Sequence, residues 1–382
     1  MFNPETFDRA LKIKGYGSYR KTIPFSRIQN VKTVQGETVL KVKPTIITNL
    51  REYIDFIENI KTSYTNPVFF RGQTNADYLL TPTSLRINPQ NEHIMLEAFS
   101  RKFFDELNRC HSSMEKLIVM QHFHLPTRCL DITESPLVAL YFACSHMKKF
   151  RTRIVKSEEE DWGEIILFRE PDSEDRRPEK LKSIESSNIS VIANTAYMED
   201  DFSLWHLGVR WKKDVDIGHD EQYIDLINIV RQSYIVRVPH NNIRIKNQQG
   251  AFIMVNANMA YIDAHENERN KLTKDILNGS IKTFNQFLKD NKELCDTKPW
   301  MFRFYKIKPY STDNELSIFQ TDPFDLRRLL YKEKGIQQIV LVPPENKQEI
   351  IEELRKLNIS EDFVYPDMDN VANEIREQIN VE

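Results

Sequence analysis

Glycine is scarce, at 10 in 382 residues, and no GxGxxG or GxxxxGK(S/T) string occurs. That excludes a glycine-rich phosphate cradle, which needs glycine wherever the backbone must approach a pyrophosphate. Cysteine is scarcer still. Cys110, Cys129, Cys144 and Cys295 stand far apart, none in a CxxC pair. That spacing suits neither a structural zinc site nor a disulfide framework, and no metal is expected. Charge of one sign is lacking too: the net charge of −3 gives no global pull toward nucleic acid. The longest apolar stretch, Pro136–Cys144, is too short to cross a bilayer. Met1–Glu5 begins no basic-then-apolar leader. The expected compartment is the cytoplasm, with no membrane partner.

What is present suffices for a core: 40% of the residues are hydrophobic and 29% charged. Val39–Val42 reads as a short strand. Ile46–Ile60 carries Leu50, Ile54, Ile57 and Ile60 at helical steps. After the break at Asn66-Pro67, Val68-Phe69-Phe70 has strand character and runs into Arg71-Gly72-Gln73. Ile94–Leu107 and Glu115–Phe123 read as helices, and Arg128–Ile132 as a strand. Ser135-Pro136 reads as a helix start, Ser at the N-cap and Pro at the first helical position. Lys148–Asp161 is a charged excursion, and Glu164–Phe168 a strand. Ile189–Met259 alternates toward further strands, including Tyr234–Val238 and Ala251–Val255. Asn267–Leu294 reads as helical. Strand Gln338–Val342, a Pro-Pro turn and helix Lys347–Leu357 follow, and Val371, Ile375 and Ile379 suggest a last helix. The fold expected is α+β: mixed or antiparallel sheets with flanking helices.

Two segments concentrate the chemistry. Arg71 follows a hydrophobic strand and precedes glycine, so its fork is held at a sheet end and suits a phosphate or carboxylate in two-point contact. Pairing with Asp77 or Asp131 is the structural alternative. Gly72 admits another backbone or a ligand. The second segment, Gln121 to Pro136, sets polar side chains before a helix N-terminus, where free N–H groups favour an anion. Thr133 and Ser135 add hydroxyls that also serve as caps. Asp131 suits positioning Arg128 or capping the turn better than acid–base work. His122 and His124 would share a face on a strand, and Cys129 near them is more simply a buried thiol than a nucleophile.

These residues resemble a known family. Phe69-Phe70-Arg71-Gly72-Gln73, with Tyr78-Leu79-Leu80-Thr81-Pro82-Thr83-Ser84-Leu85-Arg86, is similar to the opening of the FRG domain, named for Phe-Arg-Gly. Gln121-His122-Phe123 through Thr127-Arg128-Cys129-Leu130-Asp131-Ile132-Thr133 and Ser135–Ala143 resembles its second signature. Cys129 and Ile132 stand where Leu and Trp are common. Arg244-Ile245 with Gln248-Gln249-Gly250-Ala251-Phe252 is a third likeness, and Ile339–Pro343 with Tyr365-Pro366-Asp367 looks like the end of the domain. The division this implies is a segment or arm over 1–45 and an FRG domain with insertions over 46–382.

A more distant likeness is to Arg-Ser-Glu-type ADP-ribosyltransferases, and it implies an ADP-ribosyltransferase-like core. There the arginine holds NAD, a Ser/Thr strand shapes the nicotinamide pocket, and a glutamate stabilises the oxocarbenium-like transition state. The resemblance implies NAD as substrate, with Arg71, Thr133, Ser135 and Gln249 in the catalytic set. Arg71, Gly72, Gln73, His122, Thr127, Arg128 and Asp131 would lie against the cofactor, and the acceptor would be a protein or nucleic acid. Gln248 and Gln249 occupy the glutamate's segment, so the carboxylate must come from elsewhere, with Glu134, Glu266 and Glu315 as candidates. The alternative is a non-catalytic module that senses a nucleotide or phosphate, in bacterial defence or stress response. A nucleic-acid-binding protein or nuclease ranks below both.

Overall fold

The computed structural model describes residues 41–63, 66–76, 80, 82–84, 92–145, 162–171, 182–183, 187–198, 201–203, 229–230, 232–239, 242–256, 258–262, 302–306 and 326–366. The segments expected at Lys148–Asp161, Asn267–Leu294 and Val371–Ile379 lie outside these residues, as do Asp77, Glu266 and Glu315.

The main sheet contains β1 (Lys41–Ile46), β2 (Phe69–Gln73), β3 (Cys129–Thr133), β4 (Gly163–Phe168), β5 (Lys182–Ser183), β7 (Tyr234–Arg237), β8 (Gly250–Met254), β11 (Lys332–Glu333) and β12 (Ile336–Val342). Its order is β1-β12-β4-β2-β3-β8-β7-β5, with β11 as a hairpin arm on β12. Pairing is antiparallel along the centre, and parallel for β1 with β12 and for β5 with β7. Three further strands, β6 (Asp201–Ser203), β9 (Asn258–Ile262) and β10 (Phe302–Lys306), form a small antiparallel sheet. The protein is thus α+β, an open mixed sheet with helices against it.

The helices are α1 (Leu50–Glu58), α2 (Glu92–Lys102), α3 (Phe104–Leu107), α4 (Ser113–His122), α5 (Pro136–Cys144), α6 (Ser187–Ala196), α7 (Ile243–Asn247), α8 (Leu326–Leu329), α9 (Lys347–Lys356) and α10 (Glu361–Val364). Local chemistry sets several of their starts. Asn49 caps α1 by accepting from Glu52 N at 3.0 Å, and Glu52 reaches back to Thr48 N at 2.7 Å, a capping box. Ser112 caps α4 by accepting from Glu115 N at 3.2 Å. Ser135 caps α5 with Pro136 at the first helical position, as its sequence implies. Residues 187–196, expected within a run of strands, are helix α6. Ile189, Ile192, Ala193 and Ala196 are all buried, and their steps of three, four and seven make one helical face.

The sheet's two faces are covered differently. On one, Phe69, Leu130, Ile132, Ile166, Phe168, Ile253, Ile339 and Leu341 pack with Leu326, Leu329 and Leu330 around α8. The other face carries two separate cores. Val68, Phe70, Ile165, Leu167, Val340 and Val342 lie under α1, α5 and α9. Tyr234, Val236, Phe252 and Met254 lie under α2, α4 and α6. Phe70 and Thr133 are register partners and so share this face. Between the two helix groups, over β2, β3 and β8, lies an uncovered strip of sheet.

Candidate functional site

That strip is a cleft of about 320 Å³, near the lower end of ligand-pocket volumes, roughly 300–1,000 Å³. Strands β2 and β3 floor it, and their register consists of one pair, Phe70 with Thr133. Beyond that pair a side chain continues the connection: Arg71 Nη1 donates to the main-chain carbonyl of Asp131 at 2.6 Å. Among the described residues, Arg71 thus meets Asp131 through its backbone oxygen, while Asp77, the other partner the spacing allows, lies outside them.

Gly72 has a specific packing role. A Cβ there would lie 1.9 Å from the carbonyl oxygen of Ala139 on α5. The close approach is thus made by a helix, and it draws α5 onto the strand so that Phe142 and Ser145 form one wall of the cleft. The opposite wall is the end of α4, with Ile118, Gln121 and His122. The mouth is built by α7 and the turn after α10, which are clipped together. Asn247 Nδ2 donates to Phe363 O at 2.8 Å, and Gln248 Nε2 to Val364 O at 2.9 Å. Arg244 lies 4.8 Å from the centroid of the Tyr365 ring, and Tyr365 meets Phe142 edge-on at 6.1 Å. Burial pushes the Tyr365 phenol above its ordinary 10.0, and the Asp131 carboxylate adds to that against the pull of Arg244. Arg244 is half-buried and makes no ion pair among the described residues.

Of the residues expected at the site, Arg71, Gly72, Gln73, His122, Asp131 and Thr133 all line this cleft. Gln73 Nε2 is tied to Glu164 Oε2 at 3.4 Å. His122 ends α4 and His124 stands beyond it in the left-handed region at φ 62°, so the two do not share a strand face. Thr133 Oγ1 donates to Gln248 O and accepts from Ser135 N at 2.9 Å, which commits the hydroxyl within the fold.

Four expected residues do not line the cleft. Arg128 is fully buried beneath the helices: its Nε donates to Glu92 Oε1 at 3.0 Å, Nη2 pairs with Glu92 Oε2, and Nη1 donates to Thr195 Oγ1 at 2.6 Å. Thr127 is buried and donates to Gln121 Oε1. The Ser135 hydroxyl caps α5. Gln249 is exposed at φ 45° and contributes its backbone, accepting from Glu134 N at 3.0 Å. Glu134, offered as a carboxylate, is paired with Arg237 at 2.9 Å. Cys129 is buried, and desolvation pushes its thiol up to about 12, which removes it as a nucleophile at neutral pH.

Gln121, Phe142, Arg244, Gln248 and Tyr365 also line the cleft. Arg244, Gln248 and Tyr365 stand inside the motifs named above, but their arrival at the cleft that Arg71 lines depends on long-range pairing. Among the described residues no three His, Cys, Asp or Glu side chains gather as a metal site, and no helix is long and apolar enough to cross a membrane.

The cleft thus lies on an open mixed sheet, with Arg71 and Gly72 inside strand β2 on its floor and the capped helix α5 as one wall. The family model of the FRG domain matches residues 66–152. The chain therefore carries an FRG domain, whose matched segment holds β2, β3 and helices α2 to α5. The α7 and Tyr365 side of the cleft comes from residues beyond the match. No curated protein and no solved structure matches the chain.

Proposed function

We propose that the cleft binds a nucleotide of the NAD type and that the protein cleaves it, releasing nicotinamide and passing ADP-ribose to water or to a protein or nucleic-acid acceptor. The observation that carries this reading is the pairing of two guanidinium groups, Arg71 and Arg244, with two aromatic rings, Phe142 and Tyr365, in one cleft. Guanidinium forks suit pyrophosphate oxygens, and the rings suit a base. The volume suits one half of a dinucleotide. The likeness to ADP-ribosyltransferases in Arg71 and the strand before α5 supports the same reading.

The test is calorimetric titration with NAD together with quantification of free nicotinamide, for the native protein, Arg71→Ala and Arg244→Ala. Binding weakened in each variant, with nicotinamide released by the native protein, is the expected result. Absence of binding by the native protein overturns the reading.

One observation favours a second reading, a sensor that binds without turnover. The hydroxyls of Thr133 and Ser135 are committed within the fold. Tight binding lost in Arg71→Ala, with no nicotinamide produced, identifies that case.

A further inference from the structure

The nucleotide reading leaves its carboxylate unassigned, because Gln248 and Gln249 stand in the segment where the likeness expects glutamate. Asp131 is the acidic residue that lines the cleft. Its side chain is exposed there and held by a directed chain of hydrogen bonds. Cys129 N donates to Thr127 Oγ1 at 3.3 Å, Thr127 Oγ1 donates to Gln121 Oε1, and Gln121 Nε2 donates to Asp131 Oδ1 at 2.7 Å. The order has a chemical cause. A carboxylate only accepts, so the Gln121 amide must turn its NH2 to Asp131 and its oxygen to Thr127. The backbone is fixed as well, since the Asp131 carbonyl accepts from Arg71. Asp131 Oδ2 accepts no hydrogen bond among the described residues. The arrangement is a carboxylate held by both main chain and side chain in a cleft that Arg71 and Arg244 also line. Electrostatic catalysis of a charge-forming step needs such preorganisation.

We infer that Asp131 is the catalytic carboxylate of the cleft, acting on an N-ribosyl pyridinium nucleotide, and that Gln121 and Thr127 are its positioning residues. The inference rests on the nucleotide reading and names the chemistry of that site. The C1′–N bond breaks, and its electron pair stays with the pyridinium nitrogen, which leaves as neutral nicotinamide. Asp131 Oδ2 faces the cationic sugar carbon that results. Water adds to C1′, forming the C–O bond, and its proton passes to Asp131 and then to solvent. The sum is NAD⁺ and water giving ADP-ribose, nicotinamide and one proton.

The experiment measures NAD affinity by calorimetry and nicotinamide release by chromatography, on the full chain. Asp131→Asn keeps the shape and the Gln121 contact but loses the charge. It should bind NAD within about threefold of the native affinity and release nicotinamide about 100-fold more slowly or worse. Thr127→Val should slow release roughly tenfold at unchanged affinity, with Thr127→Ser restoring it, a pattern that packing loss alone does not give. Thermal melting confirms that each variant folds. Native-like release by Asp131→Asn overturns the inference and leaves the nucleotide reading standing. NAD binding by the native protein without release overturns it in favour of the sensor. No binding by the native protein overturns both.

Discussion

Gly72 and Ala139 are in backbone contact: a Cβ on Gly72 would stand 1.9 Å from the Ala139 carbonyl oxygen and 2.8 Å from the Ala143 amide nitrogen. Gly163 on the neighbouring strand meets the same helix, 2.4 Å from the Ala143 carbonyl oxygen. Neither partner can rotate away, because both are main chain inside α5. Gly72→Ala should therefore cost about 3 kcal/mol or more, the upper range for overpacking. Gly335, at φ 77° with no neighbour within 4 Å, should cost about 1 kcal/mol as alanine, from backbone strain alone. Urea unfolding of the two variants distinguishes a packed glycine from a conformational one.

The Arg128–Glu92 pair, both side chains 0% exposed, makes a second test. Removing one partner leaves a buried charge unmatched, so Arg128→Leu or Glu92→Leu should each destabilise by about 3–5 kcal/mol. The double variant should be more stable than either single one. A double-mutant cycle by chemical denaturation measures the coupling.

Tyr365 separates ring from hydroxyl. Its ring carries Arg244 and closes the cleft against Phe142. Tyr365→Phe should bind NAD within about twofold of the native protein. Tyr365→Ala should lose roughly tenfold, from the cation–π and stacking contacts.

The buried thiols set an alkaline limit. Desolvation pushes Cys129 and Cys144 from 9.0 to about 12. The folded chain then holds these protons more tightly than the unfolded one. The stability they contribute is complete below pH 9 and falls as pH rises from 9 toward 12. Urea midpoints should drop over that interval, and the Cys129→Ala/Cys144→Ala double variant should drop less. Both thiols should resist alkylation at neutral pH until the chain unfolds.

The parts of the fold visible in the sequence are those with local causes. Ser135-Pro136 announces α5 because capping and a fixed φ act within one turn. Phe69 and Phe70 announce β2 because a proline break and aromatic residues bound a strand. Helix α6 is masked in the sequence by β-branched Val191 and Ile192, although Ile189, Ile192, Ala193 and Ala196 keep a helical spacing. At the candidate site, Arg71, Asp131 and Thr133 line the cleft from positions around a strand end and a helix start, which the sequence marks locally. Arg128 was not separable from them by sequence: a guanidinium before a strand suits a ligand or a buried Glu92, and only packing decides which. Arg244 and Tyr365 meet because Asn247 and Gln248 bond the 363–364 carbonyls, a tertiary event with no local signature.

Strand β12 lies between β1 and β4, so a segment from the end of the described chain separates two that come much earlier. During synthesis, β1 and β4 leave the ribosome long before the strand that joins them. Lys41 pairs with Ile336 in the finished sheet. The early strands must wait with open edges, and their closure carries the entropy of a very long loop. Folding of this half of the sheet should accordingly be slow and completed only after β12 is made, whereas β3, β8 and β7 can pair earlier. The Phe-Arg-Gly strand β2 itself pairs with β4 and β3, both made early. The late closure therefore falls on β1 and the outer edge of β4, and a chain cut before Ile336 is prone to aggregate through those two edges.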